Sequence, residues 1–203
     1  HPKVFKPDKT KIDNNINLDK PYYIIRFAKL TAHHDQGKKG IHRSIAKKII
    51  KLFNSFGNIY ITSERELEPE FERYRIAIDP FDIHHALYYA QMYVGDSQTM
   101  AAESAVLGTP SIRFNDFVGK LGYLEELEHK YKLTYGIKTE NPDKLINTIE
   151  ELLNLSDIKK HWEKRLQFLI DNTINVSEFM VWFFENYPAS VEMCKNNSFN
   201  FYI

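Results

Sequence analysis

The stretch that decides the fold is MYVGDSQTMAAESAVLGTPSIRF, residues 92–114. Its two ends, MYVG and SIRF, are short runs of apolar, aromatic and β-branched residues, which is typical of buried strands. The Ala-rich segment between them has the low volume of a helix that lies close to a sheet, and Gly108 and Pro110 end it. A helix between two buried strands predicts a parallel strand pair with a helical crossover.

The same alternation of strand and helix patterns runs along most of the chain. Strands are predicted at 22–27, 58–63, 74–78, 92–95, 111–114 and 133–137. Helices are predicted at 41–53, 82–90, 97–107, 122–131, 141–153, 156–173 and 176–187. Parallel strands joined by helices predict an α/β fold, a three-layer Rossmann-like domain in which helices cover both faces of a mainly parallel sheet.

Composition excludes several classes of protein. The 203 residues suffice for one substantial core, and 27 basic residues balance 27 acidic ones, so no basic field attracts nucleic acid. A single cysteine, Cys194, rules out an internal disulfide framework and a cysteine-based zinc site. The apolar runs fall well short of the roughly 20 residues that span a bilayer. We therefore expect no nucleic-acid partner, no transmembrane segment and a cytoplasmic location.

The pattern also predicts how the chain is divided. The opening HPKVFKPDKTKIDNN contains two Pro-containing turns and a polar loop, so residues 1–20 are predicted to be a linker from a missing N-terminal domain. Residues 21–174 form the predicted Rossmann-like domain. Residues 175–203 are predicted to be a C-terminal helix and tail. Because residues 179–184 are consecutively apolar, this tail is expected to pack toward the missing domain.

Ligands of open parallel sheets bind at the carboxyl ends of the strands, and the turn after residues 92–95 is the most informative of these places. Asp96, Ser97, Gln98 and Thr99 open a helix there, so hydroxyls and free backbone amides meet at a positive helix end, which suits a diphosphate. Glu103 lies nearly two turns further, where its carboxylate can accept hydrogen bonds from ribose hydroxyls. The alternative is that these are ordinary capping residues and that Glu103 is a solvated surface acid.

The loop after the first predicted strand is the second candidate. His33 and His34 precede Asp35 and a Gly-rich turn, so an imidazole there can donate to phosphate or act as a general acid or base. Three adjacent residues rarely point at one ion, so no metal site is predicted. Ser97 as a hydrolase nucleophile is a weaker alternative, because GDSQT is not a Gly-x-Ser-x-Gly elbow.

Three runs carry a family resemblance: RFAKLTAHHDQGKKG (26–40), YITSERELEPEFERYRI (60–76), and HHALYYAQMYVGDSQTMAAESAVLGTPSIRFNDFVGKLGYLEELEHKY (84–131). Over about residues 2–176 the chain resembles the carboxyl-terminal half of a prokaryotic family, a domain of unknown function, in the GT-B glycosyltransferase and UDP-N-acetylglucosamine 2-epimerase superfamily. That superfamily has two Rossmann-like domains, binds nucleotide sugars in the cleft between them and needs no metal. The resemblance therefore implies one half of a GT-B-like two-domain architecture.

The resemblance also implies roles for the turn. In the 2-epimerase the corresponding turn reads Asp-Ser-Gly-Gly, with a Glu six residues after the Ser, and it holds the diphosphate while the Glu holds the ribose. Asp96, Ser97 and Glu103 keep those places, whereas Gln98 and Thr99 stand where the epimerase has glycine.

The remaining implied roles fall on other loops. His33 or His34 takes the place of the epimerase's His-containing segment as a catalytic or phosphate-binding group, and Phe81 contacts the base. The expected ligand is a nucleoside diphosphate or nucleotide sugar, UDP-linked, with no further cofactor. The expected partner is the missing N-terminal Rossmann-like domain, so this part of the protein alone is expected to be inactive. Glycosyl transfer and epimerisation both stay open, and so does a non-catalytic ligand- or partner-binding domain.

Overall fold

A computed structural model describes residues 2–29 and 40–196. Within them a five-stranded sheet has the order β2-β1-β3-β4-β5, and every neighbouring pair is parallel. The strands are β1 Tyr22–Phe27, β2 Asn58–Ser63, β3 Met92–Gly95, β4 Ser111–Phe114 and β5 Thr134–Ile137. The helices are α1 Arg43–Phe53, α2 Ile83–Tyr89, α3 Gln98–Val106, α4 Gly122–His129, α5 Pro142–Leu153, α6 Ile158–Asp171, α7 Val176–Glu185 and α8 Ala189–Lys195.

The strand order confirms the predicted α/β Rossmann-like fold. The chain leaves β1 through α1 to reach β2 on one side, and it then returns across β1 to place β3 on the other side. The connections on either side of β1 therefore diverge, which makes the carboxyl ends of β1 and β3 the topological switch point. Ligands of open α/β sheets bind at such a point.

Burial on both faces explains why the first strand is apolar almost throughout. Tyr22 and Ile24 pack into one cluster with residues of α2 and α3. Tyr23 and Ile25 point to the opposite face and pack with Ile49 and other residues of α1. Because successive side chains of a strand alternate between faces, a strand covered by helices on both sides needs apolar residues at nearly every position.

One predicted strand is wrong. Residues 74–78 form no strand; they follow a 3₁₀-helix, Pro69–Tyr74, and meet β2 through a single parallel bridge between Ile61 and Arg75. The 3₁₀-helix extends to Tyr74, so Arg75 alone pairs with β2, while Ile76 and Ile78 pack against the α2 side of the sheet. The alternating pattern in residues 74–78 predicted the partial burial of alternate residues correctly, but it predicted a strand pairing of which only one bridge forms. Helix α8 was not predicted.

The two ends of the described chain pack differently. In the predicted linker, Ile12 and Ile16 are buried against the α2 side of the sheet, while α7 near the other end contains no buried residue. The linker and the missing domain stay predictions. No helix in the described part of the chain combines the length and apolarity needed to cross a membrane.

A single row of residues crosses the sheet near its carboxyl edge. In register, Thr62 lies beside Arg26, Arg26 beside Gly95, Gly95 beside Arg113, and Arg113 beside Gly136. The two arginines thus have a glycine between them. A Cβ on Gly95 would lie 2.3 Å from the Tyr93 hydroxyl and 2.9 Å from the Arg26 Cβ, so no side chain fits there.

Replacing the central glycine of this row tests the packing. We expect Gly95→Ala to lower the free energy of unfolding by about 1–3 kcal/mol, because the added methyl overpacks a closed site. Gly122→Ala is the matched control, since nothing lies within 4 Å of the position where its Cβ would stand. The control is expected to keep or raise stability. Thermal melts of both variants measure the difference, and equal melting temperatures would contradict this account of the row.

Candidate functional site at the carboxyl edge of the sheet

Asp96 directly follows β3 at the switch point and faces inward. It is 2 % exposed. Its Oδ1 accepts a hydrogen bond from the Ala28 amide at 2.6 Å, and its Oδ2 accepts one from the Ile41 amide at 3.1 Å. These two amides follow β1 and precede α1, so one carboxylate holds both ends of the β1–α1 connection. A Cβ on Gly40 would lie 2.5 Å from Oδ2, which leaves room only for glycine there.

The carboxyl group of Asp96 binds a proton more strongly than that of an ordinary aspartate. Burial raises its pKa from 3.8 to about 6, because a charged carboxylate loses its hydration inside the protein. The hydrogen bonds from Ala28 and Ile41 and the charge of Arg65 act in the opposite direction and favour the ionised form, so they limit the rise. Titratable groups with perturbed pKa values concentrate at functional sites, although structural networks perturb them too.

Ser97 begins α3 in the way its residue type predicts. It is the N-cap, and its hydroxyl accepts a hydrogen bond from the Met100 amide at 3.4 Å. The first amides of a helix have no intrahelical acceptor, and they carry the positive end of the helix dipole. This end of α3 therefore offers donors to an anion at the switch point.

The side chain of Gln98 is drawn away from the helix end. Its Nε2 donates to Asn115 Oδ1 at 2.9 Å, and its Oε1 accepts from Arg113 Nη1 at 3.5 Å. Asn115 also donates to the backbone carbonyl of Asp96 at 3.0 Å, so β4 supports the whole turn. The amide of Gln98 is therefore bound toward β4.

Arg113 anchors this network from inside the fold. It is fully buried, and its Nη2 donates to Glu125 Oε1 at 2.7 Å and to Glu128 Oε2 at 2.8 Å. Both acceptors lie on α4. Two carboxylates thus compensate the burial of its charge.

The other two predicted residues of α3 lie on its accessible side. Thr99 is exposed, and Glu103 is half-buried, with its Oε2 3.5 Å from His84 Nε2 of α2. Glu103 and His84 line a cavity of about 220 Å³ together with Phe5 and neighbouring apolar residues. The sequence left His84 as an ordinary helix-face residue, and only its contact with Glu103 draws attention to it.

Phe81 lies on the loop before α2 and is 91 % exposed. Pro80, which precedes it, and Ile83, the first residue of α2, line a second cavity of about 270 Å³ at the carboxyl ends of β1 and β2. Met100 of α3 closes the same cavity. The loop before α2 and the first turn of α3 thus border the same pocket, which the sequence did not reveal.

The predicted residues His33 and His34 lie outside the described residues, so their proposed roles stay predictions. Among residues 2–29 and 40–196, no group of three or more His, Cys, Asp or Glu side chains is placed to hold a metal ion.

Two residues at this edge of the sheet were not predicted from the sequence. Asn115 and Arg26 both sit at strand ends, and strand-end position is the signal that could have singled them out. Their partners, however, come from distant parts of the chain.

The sequence matches a protein family described as "Protein of unknown function (DUF354)" over residues 7–178. The match covers most of the chain, and the protein belongs to this family. No curated protein matches the sequence.

Several solved structures have a fold similar to that of this chain. CalG4, the calicheamicin glycosyltransferase, has a TM-score of 0.52 at 13 % identity over 84 % of this chain and 44 % of its own. A variant of the wall teichoic acid polymerase TagF has a TM-score of 0.50 at 15 % identity over 81 % of this chain and 42 % of its own. A UDP-N-acetylglucosamine 2-epimerase is also similar, with a TM-score of 0.46 at 16 % identity over 81 % and 41 %. This chain spans less than half the length of these structures.

The similarities to CalG4 and TagF confirm the fold, and the family match confirms the family of unknown function that the sequence resembles. At such low identity a structural similarity establishes the fold alone.

The buried carboxyl makes a pH-dependent prediction. Because the pKa of Asp96 is raised to about 6 in the folded protein and is near 3.8 when unfolded, its contribution to stability is complete below about pH 4 and is lost as the pH rises through about 6. Relative to Asp96→Asn, the free energy of unfolding of the natural chain should therefore fall by on the order of 3 kcal/mol across this window.

Urea unfolding at steps between pH 4 and pH 7 measures this difference. Asp13→Asn, at an exposed position, is the control for the loss of one carboxylate. If the free energies of unfolding of the natural chain and of Asp96→Asn differ by the same amount at every pH, this prediction is contradicted.

Proposed function

We propose that the chain is the nucleotide-sugar-binding half of a GT-B-like enzyme that transfers a sugar or epimerises a sugar nucleotide. Its ligand would be a nucleoside diphosphate or nucleotide sugar, with UDP-linked sugars as the first candidates, and it would need no metal or further cofactor. The partner in catalysis would be an N-terminal Rossmann-like domain, which would supply the rest of the active site.

One observation carries the proposal: α3 starts at the β1/β3 switch point, with Ser97 as its cap. Open α/β sheets bind ligands at such a point, and a helix N-terminus favours phosphate groups. The hydrogen bond from Gln98 to Asn115 supports the same role, because it holds the Gln98 side chain away from the start of the helix. The diphosphate would lie against the amides of this turn, with Thr99 beside it.

Glu103 extends this arrangement along α3. In the proposed complex its carboxylate accepts hydrogen bonds from the ribose hydroxyls. His84 Nε2 lies 3.5 Å from the Glu103 carboxylate, so a ribose bound there would contact His84 or displace it from Glu103. Phe81, with its ring in solvent, is available to stack on a base. His33 and His34 are proposed to contact phosphate or to transfer a proton.

A non-catalytic binding domain is the rival from another class. A panel of nucleotide sugars, incubated with the longest natural protein that contains this chain, separates the two. We expect at least one sugar nucleotide to be converted, which product analysis by mass spectrometry would detect. Saturable binding without conversion of any of them would favour the binding domain.

The ribose role makes a specific prediction. Glu103→Ala should weaken UDP binding about ten- to a hundredfold, because it removes a charged hydrogen-bond acceptor worth roughly 1.5–3 kcal/mol. Isothermal titration calorimetry measures the dissociation constant. Glu126→Ala is the matched control: Glu126 lies on α4 and is paired with Lys130 at 2.9 Å on the surface. A dissociation constant that is the same for Glu103→Ala and the natural chain would remove Glu103 from the site.

A further inference from the structure

A further cavity lies at the amino edge of the sheet, opposite the edge at which α3 begins. Its volume is about 290 Å³, close to the lower end of the roughly 300–1,000 Å³ typical of ligand pockets, so it suits a ligand with one ring. Tyr22, the first residue of β1, and Gln91, which directly precedes β3, both line it. Because β1 has six residues, the two edges are roughly 15–20 Å apart. This cavity is therefore separate from the proposed nucleotide site.

Three lysines from separate parts of the chain line this cavity. They are Lys9 of a 3₁₀-helix, Lys9–Lys11, Lys20 in the loop before β1, and Lys159 in the first turn of α6. Among the described residues, the ammonium groups of Lys20 and Lys159 have no ion pair and no hydrogen bond. The ammonium of Lys9 lies over the ring of Tyr89, 5.4 Å from its centroid. Because like charges repel, three ammonium groups around one cavity favour an anion between them.

The cavity also contains groups that suit hydroxyls. The Asp19 carboxylate and the Gln91 side-chain amide line it, and neither has a hydrogen-bond partner in the described part of the chain. A carboxylate accepts hydrogen bonds, whereas an amide both donates and accepts them, and the hydroxyls of a sugar or polyol match both. Leu18 and Pro21 add apolar wall beside these groups. A bare inorganic anion would leave the Asp19 and Gln91 side of the cavity unused.

The charge of the wall indicates which anion fits. Three lysines and one aspartate line the cavity, which leaves a net charge of +2. A phosphate monoester carries a charge of about −1.5 to −2 near neutral pH, so it balances this wall. A phosphodiester carries a single charge and balances it only in part.

The loop before β1 is held in place on both sides without a ligand. The Asn17 amide donates to the Tyr60 hydroxyl at 2.7 Å, and the Asp19 amide donates to Asn17 Oδ1 at 2.9 Å. At the other end of the loop, the Pro21 carbonyl accepts from the Asn58 amide at 2.8 Å. A backbone that is fixed in advance loses little conformational freedom when a ligand binds.

We propose that this cavity is a second ligand site, which binds the phosphate monoester of a sugar or polyol. Lys9, Lys20 and Lys159 bind the phosphate, and Asp19 and Gln91 bind the hydroxyls. The inference goes beyond the proposed function and does not depend on the nucleotide site at α3.

Calorimetric titration of the longest natural protein that contains this chain tests the proposal. The ligands are glucose 6-phosphate, ribose 5-phosphate and glycerol 3-phosphate. Inorganic phosphate and glucose represent the two halves of such a ligand, and all titrations use one ionic strength, because salt screens exposed charges. We expect at least one of the three monoesters to bind about tenfold more tightly than either half, since only the whole ligand satisfies both sides of the cavity.

Two substitutions separate the phosphate side from the hydroxyl side. Lys159→Gln should weaken binding of the best monoester and of inorganic phosphate about fivefold each, the upper end for an ion pair that stays in contact with water. Asp19→Asn should weaken binding of the monoester about fivefold, as expected for a lost hydrogen bond. It should not weaken binding of inorganic phosphate, because the lost carboxylate repels that anion.

Each substitution has a matched control. Lys160→Gln removes the same charge at the next residue of α6, which does not line the cavity, and should leave both affinities unchanged. Asp13→Asn is the control for the loss of one carboxylate outside the cavity. All four positions are exposed, so the variants are expected to keep the fold.

The outcomes separate this inference from the proposed function. If no monoester binds more tightly than inorganic phosphate, or if Lys160→Gln weakens binding as much as Lys159→Gln, the cavity is a patch of surface charge and the inference is overturned. If saturating UDP displaces the monoester, the ligand binds at α3, so this inference fails and the nucleotide site stands. If UDP does not bind at all, the proposed function fails, and the Lys159 and Asp19 variants still decide the second site.

A lipid headgroup is the other source of a phosphorylated polyol. Vesicles of phosphatidylglycerol present glycerol and phosphate as a diester, and co-sedimentation measures binding to them. We expect Lys159→Gln and the natural chain to co-sediment equally. Co-sedimentation that Lys159→Gln abolishes, without binding of any soluble monoester, would overturn the proposal of a soluble ligand.

Discussion

The carboxylate of Asp96, shared between the amides of Ala28 and Ile41, is the interaction on which the carboxyl edge of the sheet depends. It joins the end of β3 to both ends of the β1–α1 connection. Arg65, which follows β2, donates to the carbonyl of Ile41, and Asn115, which follows β4, donates to the carbonyl of Asp96. The segments that follow four neighbouring strands thus meet around one aspartate, and this fixes the position at which α3 begins.

Burying that carboxylate costs free energy, as its raised pKa shows. Without it, two backbone amides at the switch point would have to find other acceptors in a place where water is excluded. An aspartate accepts from each through a separate oxygen, whereas asparagine, of the same size, has only one acceptor oxygen. The same inward orientation places both oxygens of Asp96 against backbone amides. Its contribution to the proposed site is to position the turn.

The sequence predicts the parts of the fold that depend on local composition. The bounds of β1, β2, β3 and β4 follow from short apolar runs because both faces of this sheet are buried. Residues 74–78 show the same alternation but pair with β2 at only one bridge, since alternation reports burial and contains no information about a distant neighbour. The prediction of the site from sequence has the same limit. Ser97 caps α3 as its type predicts, whereas the orientations of Asp96 and Gln98 are decided by partners far along the chain.

The side chains of this turn have separate structural roles. Asp96 faces the scaffold, Ser97 caps the helix, and Gln98 is bound to Asn115, so none of these side chains needs to carry the ligand. What faces the switch point is the start of a helix, whose first amides have no intrahelical acceptor whichever residues supply them. The space in front of these amides is kept open by hydrogen bonds that draw the side chain of Gln98 toward β4, which makes Asn115 and Arg113 part of the proposed site although neither would touch the ligand.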